Sequence, residues 1–246
     1  MTLTAALVVF AAALVTALAT GLGAAPFAVG GRAAQGWLGP ANAIASGVML
    51  GASASLLIEG SSRSLALAGL GLLAGALLVS VSHRFTDRHE DLSVGALSGA
   101  AARRAILVVG VMTVHSLAEG VGVGASFGGG SGFGVLIAVA IAVHNVPEGL
   151  AISLVLVPAG TRVRTAAWWS VFSSLPQPLV AVPAFAFVEA SRSLLPLGLG
   201  FAAGAMIWLV VRDLLPEALA QASRRVVLTD GAAAFVAMLA FQLLFL

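Results

Sequence analysis

Apolar residues dominate eight successive stretches of the chain, and charged or Gly/Pro-rich segments separate them. A helix that crosses a bilayer needs about 20 predominantly apolar residues, so each stretch is long enough for one crossing. We therefore predict an all-α membrane protein with eight transmembrane helices. The predicted spans cover about residues 2–21, 41–58, 64–82, 103–127, 134–157, 164–188, 194–215 and 228–246.

Composition indicates a chain that is surrounded by lipid over most of its area. Apolar residues make up 60% of the 246 residues and charged residues only 9%, whereas about 25% of an ordinary soluble domain is charged. So few charges cannot cover a water-facing surface. The first stretch has no Arg or Lys before it, although a secretory signal peptide needs a positive start. We expect it to be retained as a span, with cleavage after Ala17-Leu18-Ala19 as the alternative.

The arginines predict the orientation, because cytoplasmic segments of membrane proteins carry an excess of Lys and Arg. With eight spans and the N-terminus outside, only Arg63 and Arg192 fall on the outer side. The other side holds Arg32, Arg84, Arg88, Arg103, Arg104, Arg162, Arg164, Arg212, Arg224 and Arg225. We therefore expect a protein of the cell membrane with both termini outside and a cytoplasmic loop at 83–102.

Three absences narrow the chemistry. The sequence has no Cys, so it offers neither disulfides nor thiolate metal ligands. No GxxxxGK[ST] phosphate-binding loop occurs, so ATP does not drive an activity of this chain. The net charge is only +2 and no long basic run is present, which excludes a nucleic-acid-binding surface. We also expect no organic cofactor.

Two internal echoes predict a repeated architecture. The triplet Gly47-Val48-Met49 in the second span is echoed by Gly204-Ala205-Met206 in the seventh, and HSLAEG at 115–120 in the fourth span recurs as HNVPEG at 144–149 in the fifth. We predict a 3+2+3 arrangement, in which helices 1–3 and 6–8 form an inverted repeat around a central pair. Such repeats are typical of transporters.

Each central helix carries a His followed four residues later by a Glu: His115 with Glu119, and His144 with Glu148. This spacing puts both side chains on one helix face, one turn apart. A short uncharged loop joins the two helices, so they can lie antiparallel and turn both pairs toward each other. Two imidazoles and two carboxylates would then meet at a single depth.

The energetics favour a cation between these side chains. A carboxylate at the centre of a bilayer costs on the order of 2.5–3.5 kcal/mol, and no Arg lies near Glu119 or Glu148 within their spans. A divalent cation would compensate both carboxylates, and neutral imidazoles would complete its shell. Ser116 and Asn145 could reach the same ion from the side. The alternative is that the polar residues only make hydrogen-bonded packing contacts.

Pro147 adds a further candidate ligand. It removes the helical hydrogen bond to the carbonyl of Val143, and irregular backbone in a membrane is tolerated where it lines a cavity. We expect a kink beside His144 that brings this oxygen close to the site.

These motifs resemble those of the ZIP family of divalent-metal transporters, nearest to its bacterial GufA-like branch. HNVPEGLA at 144–151 resembles the family's fifth-helix motif, and HSLAEG at 115–120 its fourth-helix motif. GVML at 47–50 is similar to the second helix, and AAGAM with LLPEA within 202–218 to the seventh. The resemblance covers essentially the whole chain.

The resemblance implies a binuclear centre between helices four and five. Its implied ligands are His115, Glu119, His144 and Glu148, with Asn145 at a second metal position. Met49 would flank the first position. The resemblance further implies that helices one, four, five and six move as a unit against the other four, an elevator-type motion.

Two departures from the family pattern affect the second metal position. Ser116 and Ala118 stand where the fourth-helix motif usually has Asn and Pro, and Gln177, before Pro178, stands where helix six usually supplies a Glu. Both changes remove stronger ligands or charge. We therefore predict one firm site, and a second that is weak or empty.

The leading hypothesis is a non-enzymatic transporter that moves a divalent first-row metal ion, Zn or else Fe, Mn or Co, or the heavier Cd ion, into the cytoplasm. An intramembrane metal-dependent hydrolase is an alternative, although HExxH is absent and both Glu residues are assigned as ligands. The other alternative is a carrier of protons or a non-metal solute. Small-residue faces permit a homodimer without requiring one.

Two further polar groups are open to two interpretations. The histidines and carboxylates of HRFTDRHED at 83–91, among them His83 and His89, could pass metal onward, but we favour a solvated loop. Asp213 and Glu217 at the inner end of the seventh span could line an exit, but we favour interfacial anchors.

Overall fold

The computed structural model describes residues 2–30, 36–88 and 99–245, and these residues form helices without any strand among them. The helices are α1 Leu3–Thr20, α2 Ala25–Gly30, α3 Leu38–Arg63, α4 Leu65–Arg88, α5 Gly99–Gly129, α6 Ser131–Leu156, α7 Val163–Ser174, α8 Pro176–Ala190, α9 Leu195–Leu209, α10 Leu215–Gln221 and α11 Arg224–Phe245. A 3₁₀ turn, Gly21–Ala24, continues α1 into α2, and a π-helical segment, Val210–Leu214, continues α9 into α10.

Six segments of the described chain are apolar and long enough to cross a bilayer, which makes this a multi-pass helical membrane protein. They are Leu3–Val29, Leu38–Arg63, Ser131–Leu156, Val163–Ala190, Arg192–Gln221 and Arg224–Leu243. The predicted total of eight crossings needs α4 and α5 as the remaining two. The apolar part of α4, Leu65–Val81, is shorter, and both helices pack within the same bundle.

The helices differ from the predicted spans at two places. Helical structure extends into the predicted loop at 83–102 from both sides, because α4 continues to Arg88 and α5 begins at Gly99. The predicted sixth span is two helices, since α7 ends at Ser174 and α8 begins at Pro176. A proline at the first position of a helix lacks only an N–H that would have no helical partner there. Pro147, by contrast, lies inside α6, which runs unbroken through it.

The predicted inverted repeat relates the second span to the seventh and the third span to the eighth. The packing of the outer helices is consistent with this relation. The second span, α3, packs on the eighth, α11, while the seventh, α9, packs on the third, α4. A Cβ added to Gly47 of α3 would lie 2.1 Å from a carbonyl oxygen of α11, and one added to Gly204 of α9 would lie 2.0 Å from a carbonyl oxygen of α4. Gly47 and Gly204 therefore have the same role, because each allows the backbones of two helices to pack in direct contact. The methionines that follow them, Met49 and Met206, are both buried.

Close backbone contacts divide the bundle into two helix groups. The site group consists of α1, α2, α5, α6, α7 and α8, and the frame group of α3, α4, α9, α10 and α11. At the described glycines, every added Cβ that would meet an atom closer than 3.0 Å meets it within its own group. Across the groups the nearest approaches are Gly122 to Ala202 and Gly198 to Ala125, at 3.2 Å, and both end on a methyl carbon. At these glycine positions the backbones approach more closely within each group than across the boundary, where α5 packs on α9 and α3 on α6.

We expect Gly149→Ala to destabilise the site group. A Cβ at Gly149 would lie 1.7 Å from the carbonyl oxygen of Thr20, so α1 and α6 must move apart. Overpacking of this kind costs about 1–3 kcal/mol, and the melting temperature in detergent should fall by several degrees. Gly132→Ala in the same helix is the matched control, because nothing lies within 4 Å of its added Cβ. Equal melting of the two variants would contradict the close contact.

Candidate metal centre

The two central helices are brought together by a turn of a single residue. Gly130 lies between α5 and α6 with φ +143°, a backbone conformation that residues with a side chain rarely adopt. Since α5 and α6 also pack against each other, the turn makes them antiparallel neighbours. Their polar faces, with His115 and Glu119 on α5 and His144 and Glu148 on α6, therefore meet inside the site group.

Three of the four side chains form a compact triangle of candidate ligand atoms. The Nε2 atoms of His115 and His144 are 3.1 Å apart. Glu119 Oε1 lies 3.1 Å from the first and 3.0 Å from the second. Glu148 Oε2 lies 3.9 Å from His144 Nε2, and one ligand atom from each of the four residues falls within 4.8 Å of all the others. All four residues are at most 2% exposed.

The dimensions of the triangle suit a first-row metal ion. A point equidistant from three atoms spaced 3.0–3.1 Å apart lies about 1.8 Å from each in their plane, whereas Zn–N and Zn–O distances are about 2.0–2.2 Å. An ion bound by these three atoms therefore sits just to one side of their plane. A fourth ligand can complete a tetrahedron there, and Glu148 supplies the nearest candidate oxygens. The His115–His144 distance would also suit a hydrogen bond between the two rings.

Buried polar atoms without a hydrogen bond are concentrated around this triangle. Among the described residues they include Glu119 Oε1, both carboxylate oxygens of Glu148, Asn145 Oδ1 and Ser116 Oγ. Glu119 Oε1 lacks one even though two imidazole nitrogens lie within 3.1 Å of it. A buried polar atom left without a partner costs about 1–3 kcal/mol, and a charged one more. A cation at the centre would compensate several of these atoms together.

A hydrogen-bonded network joins the centre to two further helices. Gln177, at the start of α8, donates from Nε2 to Glu119 Oε2. Its Oε1 accepts from Thr16 Oγ1 at 2.5 Å and from Asn145 Nδ2 at 3.3 Å, and Asn145 Nδ2 also donates to the carbonyl oxygen of Thr16 at 2.8 Å. The network thus links α1, α5, α6 and α8 at the depth of the candidate ligands.

The remaining predicted site residues are all buried. Ser116 is fully buried on α5. Met49 is buried on α3 in the main apolar core, and therefore belongs to the frame group rather than the site group. Gln177 presents a nitrogen to Glu119, and its oxygen faces Thr16 and Asn145. The roles of these residues toward a metal stay predictions.

Sequence reasoning missed one polar residue of the network, Thr16, whose signal was a hydroxyl inside an otherwise apolar first helix. Asp213, for which we favoured an interfacial anchor over an exit, lies half-buried in the π-helical segment and interacts electrostatically with His115. Its role stays a prediction. Glu217 is exposed and accepts a hydrogen bond from Gln221, as an interfacial residue can.

The histidines of the polar loop stay untested. His83 falls in the last turns of α4, and His89 lies outside the described residues, as do Glu90 and Asp91.

Comparisons with known proteins find a matching family model and several similar proteins. The family model of the ZIP zinc transporters matches residues 82–240. A candidate zinc transporter of Arabidopsis thaliana is 45% identical over 94% of this chain, which spans only 38% of that plant protein. The zinc transporter GufA of Myxococcus xanthus is 31% identical, with 84% of this chain and 86% of GufA covered.

Proposed function

Since this chain belongs to the ZIP zinc transporter family, we propose that it moves divalent first-row metal ions, Zn first among them, across the membrane toward the cytoplasm. The family consists of transporters and not of enzymes, which argues against the alternative of a metal-dependent hydrolase. The ion is the cargo and binds between α5 and α6.

One observation carries the proposal: two imidazoles and two carboxylates converge at full burial around a point where several polar atoms lack hydrogen bonds. Mixed nitrogen and oxygen donors suit Zn(II), Fe(II), Mn(II), Co(II) and Cd(II) to different degrees. The chain has no Cys, so it lacks the thiolates that select a soft Cu(I) ion. We assign His115, Glu119, His144 and Glu148 as the ligands, with Asn145 and Ser116 beside them.

The contacts between helices support a sliding motion of the site group against the frame group. All four proposed ligands lie in the site group, so the ion would travel with it. Interlocked backbones would keep each group rigid, while the contacts of Gly122 and Gly198 with alanine methyl groups across the boundary would resist sliding less. This division coincides with the elevator-type division that the sequence resemblance implies, once α2 is counted with the first span and α7 and α8 as the sixth.

The direction and orientation rest on charge. Ten of the twelve arginines fall on one side of the predicted topology, and the positive-inside rule assigns that side to the cytoplasm. Both termini would then face outside. A site that alternates between the two sides lets an ion move down its gradient into the cytoplasm.

Metal flux into sealed vesicles tests the proposal. We expect purified protein in liposomes to take up Zn²⁺, and Glu148→Ala to reduce the uptake at least tenfold, because one of the two charges that compensate the ion is lost. Wild-type vesicles without flux would contradict transport. Retained uptake by Glu148→Ala would contradict the site, and transport that persists in excess chelator would favour a proton or non-metal solute carrier.

A further inference from the structure

We propose that Gln177 is a positioning residue that fixes Glu119 as a single-oxygen ligand and limits the centre to one ion. This inference rests on the proposed function, because it concerns how the same site is loaded. Gln177 itself is fully buried, and it contacts the centre only through Glu119 and Asn145.

The two oxygens of Glu119 have different partners. Oε1 faces the Nε2 atoms of His115 and His144, at 3.1 and 3.0 Å. Oε2 accepts a hydrogen bond from the amide nitrogen of Gln177. An ion at the triangle can therefore bind only Oε1. A second cation on the side of Oε2 that faces Gln177 would meet the positive end of an amide dipole, and the hydrogen bond already occupies the lone pair on that side.

The orientation of the Gln177 amide is set by its other neighbours. Its Oε1 faces the hydroxyl of Thr16 and the amide nitrogen of Asn145. Asn145 Nδ2 in turn donates to the carbonyl oxygen of Thr16, which fixes that nitrogen as the donor. A flipped Gln177 would place two donors opposite each other at Asn145 and two oxygens opposite each other at Glu119. Only the observed orientation satisfies the network, so the nitrogen is held against Glu119.

The charge of the two carboxylates also favours a single bound ion. Between residues 105 and 161 the sequence has no Lys or Arg, so Glu119 and Glu148 carry the only formal charges on α5 and α6 at this depth. One divalent ion neutralises the two carboxylates. A second ion would find no further carboxylate on α5 or α6, and the nearest other one that acts on the centre is Asp213 of the π-helical segment. Burying a charge that is not compensated costs several kcal/mol. A neutral amide at position 177 therefore suits one ion and not two.

Counting bound metal in the purified protein tests the inference. The protein in detergent would be stripped with a chelator, reloaded with Zn²⁺ and freed of excess metal, and the Zn²⁺ per chain then measured by mass spectrometry. We expect one ion per wild-type chain and two per Gln177→Glu chain. The new carboxylate would replace the amide donor, release Glu119 Oε2 and add a charge beside Asn145 Oδ1, which has no hydrogen bond.

Gln242→Glu is the matched control. Gln242 is a partly buried glutamine of α11 that pairs with Ser55 of the frame group, so the same substitution adds a carboxylate away from the centre. We expect this variant to keep one ion per chain. A second ion there would show that any added carboxylate recruits metal, and would overturn the assignment to position 177.

The outcomes separate this inference from the proposed function. A wild-type chain that binds two ions overturns the inference but leaves the metal centre intact. So does a folded Gln177→Glu chain that still binds one ion. A wild-type chain that binds no ion overturns the metal centre itself.

Discussion

Glu119→Gln is expected to abolish metal uptake and to weaken Zn²⁺ binding by roughly 100-fold or more, because breaking a buried charge pair costs about 3–5 kcal/mol. Among the described residues, Glu119 is the one carboxylate that approaches both imidazoles within 3.1 Å. Glutamine keeps the shape of the side chain and its contact with Gln177. It removes the charge, however, so that a bound dication would remain only half compensated.

Zn²⁺ uptake into liposomes and calorimetric binding in detergent measure the two effects separately. Glu59→Gln is the control, because Glu59 pairs with Arg63 at the end of α3, where both side chains are at least partly exposed. The same substitution there should change uptake and affinity less than twofold, since exposed ion pairs contribute about 0–1 kcal/mol. Wild-type affinity in Glu119→Gln would exclude this carboxylate as a ligand.

A disulfide across the boundary between the two helix groups is expected to stop transport almost completely. A Cβ at Gly198 of α9 would lie 3.2 Å from Cβ of Ala125 on α5, which is close to the 3.5–4.5 Å of a disulfide. The chain has no Cys of its own, so Ala125→Cys with Gly198→Cys would form the only pair. Oxidation should lower uptake at least tenfold, and reduction should restore it.

A disulfide inside one group controls for the chemistry. A Cβ at Gly60 of α3 would lie 3.4 Å from Cβ of Ala68 on α4, and both residues belong to the frame group. Oxidised Gly60→Cys with Ala68→Cys should retain most of its uptake. If the boundary pair also transports normally while its bond is intact, then the groups do not need to slide, and the elevator-type motion is wrong.

Much of the architecture is predictable from the sequence because lipid imposes simple rules. A spanning helix needs a run of apolar residues, so all-helical structure and most helix positions follow from hydropathy. The convergence of the four candidate ligands is also predictable, because two helices joined by a short loop each carry a His and a Glu four residues apart. The candidate ligands are His115, Glu119, His144 and Glu148. The family assignment, which rests on the same motifs, is confirmed by the comparisons.

Features that depend on three-dimensional contacts were not predictable in the same way. The break before α8 was missed because no charged residue interrupts the chain between Arg164 and Glu189, although Pro176 and Pro178 were its signal. The position of Gln177 was expected to weaken a metal position, but its hydrogen bond to Glu119 depends on how α8 packs against α5. Likewise, Thr16 reaches the network only because the glycine contacts bring α1 against α6.

The lack of a cationic side chain beside Glu119 and Glu148 has an electrical consequence. A site group loaded with one dication is neutral at the centre, so a membrane voltage exerts no force on the loaded step. The empty group carries two negative charges unless it takes up protons, and each charge that crosses the full field contributes about 2.3 kcal/mol per 100 mV. With the proposed sliding motion, that force would drive the empty group outward in an inside-negative cell. The voltage dependence of turnover therefore reports how many protons the empty centre carries on its return.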